Sequence, residues 1–177
     1  MTPIQSIVPI VGFAAFSGTG KTTLLTALIP ILKQHGYRIA MIKHAHHQFD
    51  VDHPGKDSYE LRKAGANQML IASRKRWVLM VENDDQSNDP PLQTLIDHLD
   101  VATMDVILVE GFKAEAFPKI ELHRHTVTKE LLYPTDNQVI AVASDKRLDL
   151  PEHITPLDIN NPQQIAEFII KNIIDRD

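Results

Sequence analysis

The stretch FSGTGKTT, residues 16–23, stands between two apolar segments of different period. Before it, Ile7-Val8-Pro9-Ile10-Val11-Gly12-Phe13-Ala14-Ala15 is apolar at nearly every position, as in a strand buried on both faces of a parallel sheet. After it, Leu24, Leu25, Leu28, Ile29 and Leu32 recur at helical spacing and Gly36 offers a stop, so a helix is expected over Thr22–His35. Pro30 falls inside that helix and is expected to kink or shorten it. A turn containing Gly18 and Gly20 lets backbone N–H groups converge with no Cβ in the way. The helix behind it adds unpaired N–H groups and the positive end of its dipole. An anion belongs at such a place.

The spacing is that of the phosphate loop, G-x-x-x-x-G-K-[ST], with Ala15 where the first glycine would stand. Alanine adds one methyl group, and Gly18 still serves the turn. Ser17, Gly18, Thr19 and Gly20 are therefore expected to line a nucleotide's phosphates, and Lys21 to reach the β- and γ-phosphates as the catalytic cation. Thr22 is expected to offer its hydroxyl to Mg²⁺, and Thr23 to touch the α-phosphate.

The totals agree with a nucleotide-binding domain. The chain has 177 residues, and a single domain over 1–177 is expected. It is 43% hydrophobic and 23% charged, enough for a sizeable core. A net charge of -5 argues against a nucleic-acid or anionic-membrane surface. With no cysteine, disulfides, thiolate metal sites and cysteine nucleophiles are excluded. No apolar run approaches the roughly 20 residues of a membrane span. MTPIQSIVPI has no basic n-region and no cleavage pattern, so a cytoplasmic location is expected.

Strands and helices alternate along the rest of the chain. Arg38–Lys43, Met104–Glu110 and Lys119–His123 read as strands, and Val139–Ala143 reads as the final strand, a central one. Asp57–Ala66 reads as a short helix with Asp57 and Glu60 at capping-box spacing, and Leu92–Leu99 as another. Pro162–Ile174 reads as a closing helix with Ile165, Phe168, Ile169 and Ile173 on one side. Gln68–Ser73 and Trp77–Glu82, joined by Arg74-Lys75-Arg76, have hairpin spacing and predict an antiparallel insertion. Glu82–Pro91 is an acidic, turn-rich loop. The expected fold is α/β: a P-loop NTPase with a mostly parallel sheet flanked by helices. Ligands gather at the carboxyl ends of such strands.

Two of those ends carry carboxylates. Val106–Val109 lead into Glu110 and Gly111, so Glu110 is the candidate second oxygen ligand for magnesium, with Lys113 nearby. The apolar run of VIAVASDKR ends at Ala143-Ser144-Asp145. One aspartate can accept both N1–H and N2–H₂ of guanine, whereas adenine has no N1 donor. The N-K-x-D motif of many GTP-binding proteins is absent, so Asp145 reads equally as a turn residue.

Lys43–Ser58, KHAHHQFDVDHPGKDS, contains four of the nine histidines. Two readings compete. As a switch-like loop, it would bring Asp50 or Asp52 to magnesium or attacking water, Asp50 serving catalysis, with Lys43, His44, His46 and His47 facing phosphates or a ligand. As a metal site, His44, His46, His47 and His53 would take zinc or nickel, although their spacing matches no closed tetrahedral pattern.

Taken together, SGTGKTT, IKHAHHQFDVDHPGKDSYELRKAGA, ILVEGFK and AVASD resemble the molybdopterin-guanine dinucleotide biosynthesis protein B (MobB) family, over most of the chain from Val11 to Asp145. The resemblance implies GTP and Mg²⁺ binding, slow GTP hydrolysis, homodimers and an adaptor role in molybdenum-cofactor maturation. The implied partners are the guanylyltransferase that attaches GMP to molybdopterin, other cofactor-biosynthesis proteins and molybdopterin itself, with no nucleic acid and no membrane. Thr22 and Glu110 would serve magnesium, Asp145 would lie near the base, and the hairpin around Arg74–Arg76 would serve the dimer. No residue stands out as an arginine finger or a water-positioning glutamine, so turnover is expected near the ~10⁻⁴ to 10⁻² s⁻¹ of unassisted GTPases. A small-molecule kinase, with Arg62, Arg74 or Arg76 on a lid, and a metal-delivery GTPase remain the alternatives.

Overall fold

The computed structural model describes residues 4–45, 49–83 and 89–176. The chain divides into two compact units, Met1–His44 with Leu92–Asp177, and Ala45–Pro91.

The first unit is built on a six-stranded sheet with every pairing parallel. Its strands are β1 (Ile10–Ala15), β2 (Ile39–Lys43), β5 (Val106–Glu110), β6 (Lys119–His123), β7 (Val139–Ser144) and β8 (Thr155–Asp158). They lie in the order β2-β5-β1-β6-β7-β8. Every residue of β1 is buried, because both faces are covered. Val11, Phe13 and Ala15 pack with Leu24, Leu28 and Leu32 of α1 (Lys21–Gln34) and with Ile165 and Ile169 of α4 (Pro162–Ile169). On the opposite face Ile10, Ile107 and Val109 pack with Leu92 and Ile96 of α3 (Leu92–Asp97). Successive residues of a strand point to opposite faces, so an unbroken apolar run fills both layers.

Helix ends follow local chemistry. The Gly36 N–H donates to the Lys33 carbonyl and the Tyr37 N–H to that of Leu32, closing α1 with Gly36 at φ 93°. Asn161 caps α4 by accepting from the Gln164 N–H at 3.1 Å, ahead of Pro162 in the first turn. The closing helix relaxes into a π turn over Ile170–Ile174. Three expectations change. α1 runs to Gln34 through Pro30 and is not shortened; Pro30 sits at an exposed position of the helix. Asp57 begins its helix rather than capping it, and the Glu60 carboxylate accepts from the Gly55 N–H. Val139–Ser144 is not the last strand, because β8 pairs beyond it. β8 is four residues long and contains Pro156, which suits an edge.

The second unit holds α2 (Asp57–Lys63) and the antiparallel pair β3 (Gln68–Ala72) and β4 (Trp77–Val81). Leu70 faces Leu79 and Ile71 faces Val78. The Ser73 Oγ accepts from the N–H groups of Lys75 and Arg76 and closes the turn. The unit's charges converge on Arg62. Its Nη1 donates to Glu82 at 2.6 Å, and its Nη2 to Asp50 at 2.8 Å and Asp52 at 2.7 Å. Arg62 and Asp52 are buried, and a buried charge must be paired. Three carboxylates from two separate segments thus tie the loop and the end of the hairpin to α2.

The Arg62 hydrogen bond holds the Asp52 carboxyl below its ordinary 3.8. A carboxylate lowered by folding contributes its full stabilisation above 3.8 and loses it as pH falls through the lower folded value. Amide exchange across residues 45–91, corrected for intrinsic rates, is therefore expected to speed up as pH drops below 3.8. Arg62→Met should speed it already at neutral pH by leaving three carboxylates without their cation. Unchanged protection in Arg62→Met would show that the cluster does not hold the unit.

Candidate functional site

The carboxyl ends of the six parallel strands bring Ala15, Lys43, Glu110, His123, Ser144 and Asp158 to one edge of the first unit. β1 leaves that edge through FSGTGKTT. Gly18 has φ 82° and Gly20 φ 94°, a left-handed conformation that side chains resist. The Thr19 N–H and hydroxyl both donate to the Phe16 carbonyl, the hydroxyl at 2.8 Å. Thr19 is therefore a buried strut inside the loop, while Ser17 and Gly18 are exposed. The first intrahelical bond is Leu24 N–H to the Gly20 carbonyl, and no side chain caps the helix. The N–H groups of Lys21, Thr22 and Thr23 consequently have no acceptor among the described residues. The Thr22 and Thr23 side chains are exposed beside them.

Strand register sets the charges next to this loop. Glu110 lies opposite Phe13 on β1 and Lys43 on β2. Its carboxylate sits 3.5 Å from Lys21 Nζ and 3.7 Å from Lys43 Nζ and is 14% exposed. One carboxylate between two ammonium groups leaves the edge positive. The chain then turns through Gly111 at φ 100° and Phe112 at φ 52°. A Cβ at Gly111 would come within 2.5 Å of the His44 Cβ. His44 itself donates its N–H to the Glu110 carbonyl at 2.8 Å and rests its ring on Phe112. Lys113 lies 5.7 Å from the centre of the Phe16 ring, at the loop's entry.

Beyond β7, Ser144, Asp145, Lys146, Arg147, Asp158 and Asn160 line an open cavity of about 370 Å³. Asp145 Oδ1 accepts from the His125 N–H at 2.9 Å, which holds the carboxyl below its ordinary range. The Ser144 hydroxyl turns inward, to His123 Nδ1 at 3.2 Å and the Lys146 N–H.

The structure thus gathers Ser17 to Thr23, Lys43, His44, Glu110, Ser144 and Asp145 at one sheet edge. Asp50 and Asp52 belong to the second unit, where both are engaged by Arg62. His46 and His47 lie outside the described residues. Among those described, no group of three or more His, Asp or Glu side chains is assembled to hold a metal ion.

Two features escape sequence reading. Lys119, Glu121 and His123 form a buried polar row on one face of β6. Lys119 binds Asp136 at 2.8 Å and the Lys113 carbonyl at 2.7 Å, while Glu121 accepts the N–H groups of Leu132 and Tyr133. Burial raises the Glu121 carboxyl despite those two donors. Alternation of polar and apolar residues normally marks a solvent face; here the segment that follows folds back over it. The second is Arg124, whose guanidinium meets the phosphate-loop carbonyl of Thr19 at 3.0 Å and Asn160 Oδ1 at 3.0 Å. Its signal was its place immediately after the alternating strand β6.

Residues 10–145 match the family model of molybdopterin guanine dinucleotide synthesis protein B, MobB. The molybdopterin-guanine dinucleotide biosynthesis adapter protein of Escherichia coli K12 is 49% identical over 170 residues, covering 94% of each chain. Its namesake from Haemophilus influenzae is 43% identical, over 92% of this chain and 88% of the relative. The solved Bacillus subtilis MobB superposes with a TM-score of 0.71 at 18% identity, over 95% of this chain and 99% of that one. The fold, the edge loop and these identities together place the chain in the MobB family.

Proposed function

We propose that this protein is a GTP-binding adaptor in the assembly of the molybdopterin guanine dinucleotide cofactor, with slow GTP hydrolysis as its own chemistry. One observation carries the nucleotide reading: the free N–H groups of Lys21, Thr22 and Thr23 stand beside the Lys21 ammonium, behind two left-handed glycines. Such a cradle favours a phosphate chain. This reading gives the Asp145 carboxylate the N1–H and N2–H₂ donors of guanine, and the open cavity it lines supports a base there.

Thr22 and Glu110 supply the hard oxygen donors that Mg²⁺ prefers, at the helix start and at the neighbouring strand tip. A bound Mg²⁺ would neutralise charge on the phosphates. Lys21 must exchange Glu110 for phosphate when nucleotide binds, and Lys43 remains to balance the carboxylate. The bonds of Asp50 and Asp52 to Arg62 favour a structural role for them, so the reading assigns them neither metal nor catalysis. The same bonds leave Arg62 unsuited to a kinase lid.

The hairpin supports self-association. None of its residues is buried, and Leu70, Trp77 and Val81 are 59%, 64% and 43% exposed. A two-stranded apolar ribbon is marginal alone in water and calls for a covering surface. A second copy of the chain is the occupant this reading favours, leaving the guanylyltransferase and related cofactor-handling proteins to bind elsewhere. The pathway assignment rests on the relatives named above.

A binding panel of GTP, ATP, GDP and ADP with Mg²⁺ tests the nucleotide reading. GTP should bind best. Lys21→Ala should weaken it by about 10- to 100-fold, the loss of a charge-assisted contact, while the apolar core, which Lys21 does not join, keeps the fold. Equal affinity for ATP and GTP would remove Asp145 from base recognition, and unchanged GTP affinity in Lys21→Ala would refute the loop assignment. Released phosphate, with none transferred to a second small molecule, separates this reading from a kinase. Leu70→Asp with Trp77→Ser should convert dimers to monomers in sedimentation; monomeric wild-type protein would overturn the hairpin assignment.

A further inference from the structure

We infer that Arg124 is a positioning residue for the phosphate loop: it turns the Thr19–Gly20 peptide so that its N–H faces the anion, and ties that peptide to the base cavity through Asn160. The inference rests on the nucleotide reading above and deepens it.

The fold dictates the meeting. β6 lies directly beside β1, with Leu122 opposite Ala15. The residue that follows His123 therefore emerges next to the loop that follows Ala15. Arg124 Nε–H donates to the Thr19 carbonyl at 3.0 Å, 105 residues away in sequence. A Cβ built at Gly20 would stand 3.7 Å from that Nε, so the guanidinium lies against the loop at its left-handed residue. In a trans peptide the C=O and the next N–H point in opposite directions. Holding the Thr19 carbonyl on Arg124 commits the Gly20 N–H to the other side. It also removes a carbonyl oxygen, a partial negative charge, from the place where a phosphate would come.

The second hold is at the cavity. Arg124 Nη2–H donates to Asn160 Oδ1 at 3.0 Å, and Asn160 lines the cavity with Ser144, Asp145 and Asp158. Asn160 is steadied in turn, its N–H donating to Asp158 Oδ1 at 2.8 Å. The planar guanidinium is suited to two directed bonds at once, which the point charge of a lysine is not. Arg124 acts by geometry, since two of its five donors are occupied before any nucleotide arrives. That distinguishes it from an arginine finger, which must be free to meet charge developing in the transition state.

The test compares Arg124→Ala and Arg124→Lys with the wild-type chain. In the nucleotide-free protein, the Gly20 amide resonance should shift and its exchange should quicken in both variants, with the thermal midpoint little changed. Their Kd for both GTP and GDP with Mg²⁺ should rise about tenfold, with kcat falling less than affinity. Asn160→Ala should weaken GTP in the wild-type background and add nothing to Arg124→Ala. An unaltered Gly20 amide, wild-type affinity in Arg124→Lys, or a fall in kcat at constant Kd would each overturn the inference. If the wild-type chain bound no GTP, the nucleotide reading would fail, and the Gly20 amide would still report whether Arg124 holds the loop.

Discussion

The turn from β1 into α1 is the constraint on which the functional edge depends. β1 is paired on both sides and covered on both faces, so its end cannot shift. The chain must reverse there within five residues before α1 starts at Lys21. Gly18 and Gly20 make the reversal possible by adopting φ of 82° and 94°. The Phe16 carbonyl, gripped by both donors of Thr19, keeps it compact. The consequence is chemical: the first turn of α1 opens onto the sheet edge with its N–H groups unspent.

Around that turn, charge follows strand order. β5 lies between β1 and β2, so Glu110 meets Lys21 at the start of α1 and Lys43 at the end of β2. The carboxylate keeps two lysines quiet, and the surplus cation leaves an anion welcome. On the other side β6 supplies Arg124 to the same loop. Under the segment that follows, Lys119 and Glu121 use buried charge to fasten backbone and side chains that have little apolar surface to offer. Buried charges of this kind hold geometry more than they add stability.

The second unit uses the same device at smaller scale. Arg62 collects carboxylates from the loop before α2 and from the residue after β4. A seven-residue helix and a two-stranded ribbon bury little. A charge cluster is therefore a natural fastener, and the apolar ribbon is left outward.

Much of the fold was legible in the chain because burial on both faces writes itself as continuous apolar runs, as at Ile10–Ala15 and Val106–Val109. The hairpin showed equally well, through its two short runs and basic turn. β8 did not, since four residues with a proline carry no period. For the edge, the order of residues alone announced the glycine turn, the helix behind it, and a carboxylate at the tip of β5. The partners emerged from folding: Asp50 and Asp52 pair with Arg62, Glu110 sits between two lysines, and Arg124 grips Thr19. The physical reason is that helices, strands and turns are settled by neighbours within a few residues. Ion pairs are settled by which strands lie side by side, and that order has no local signature.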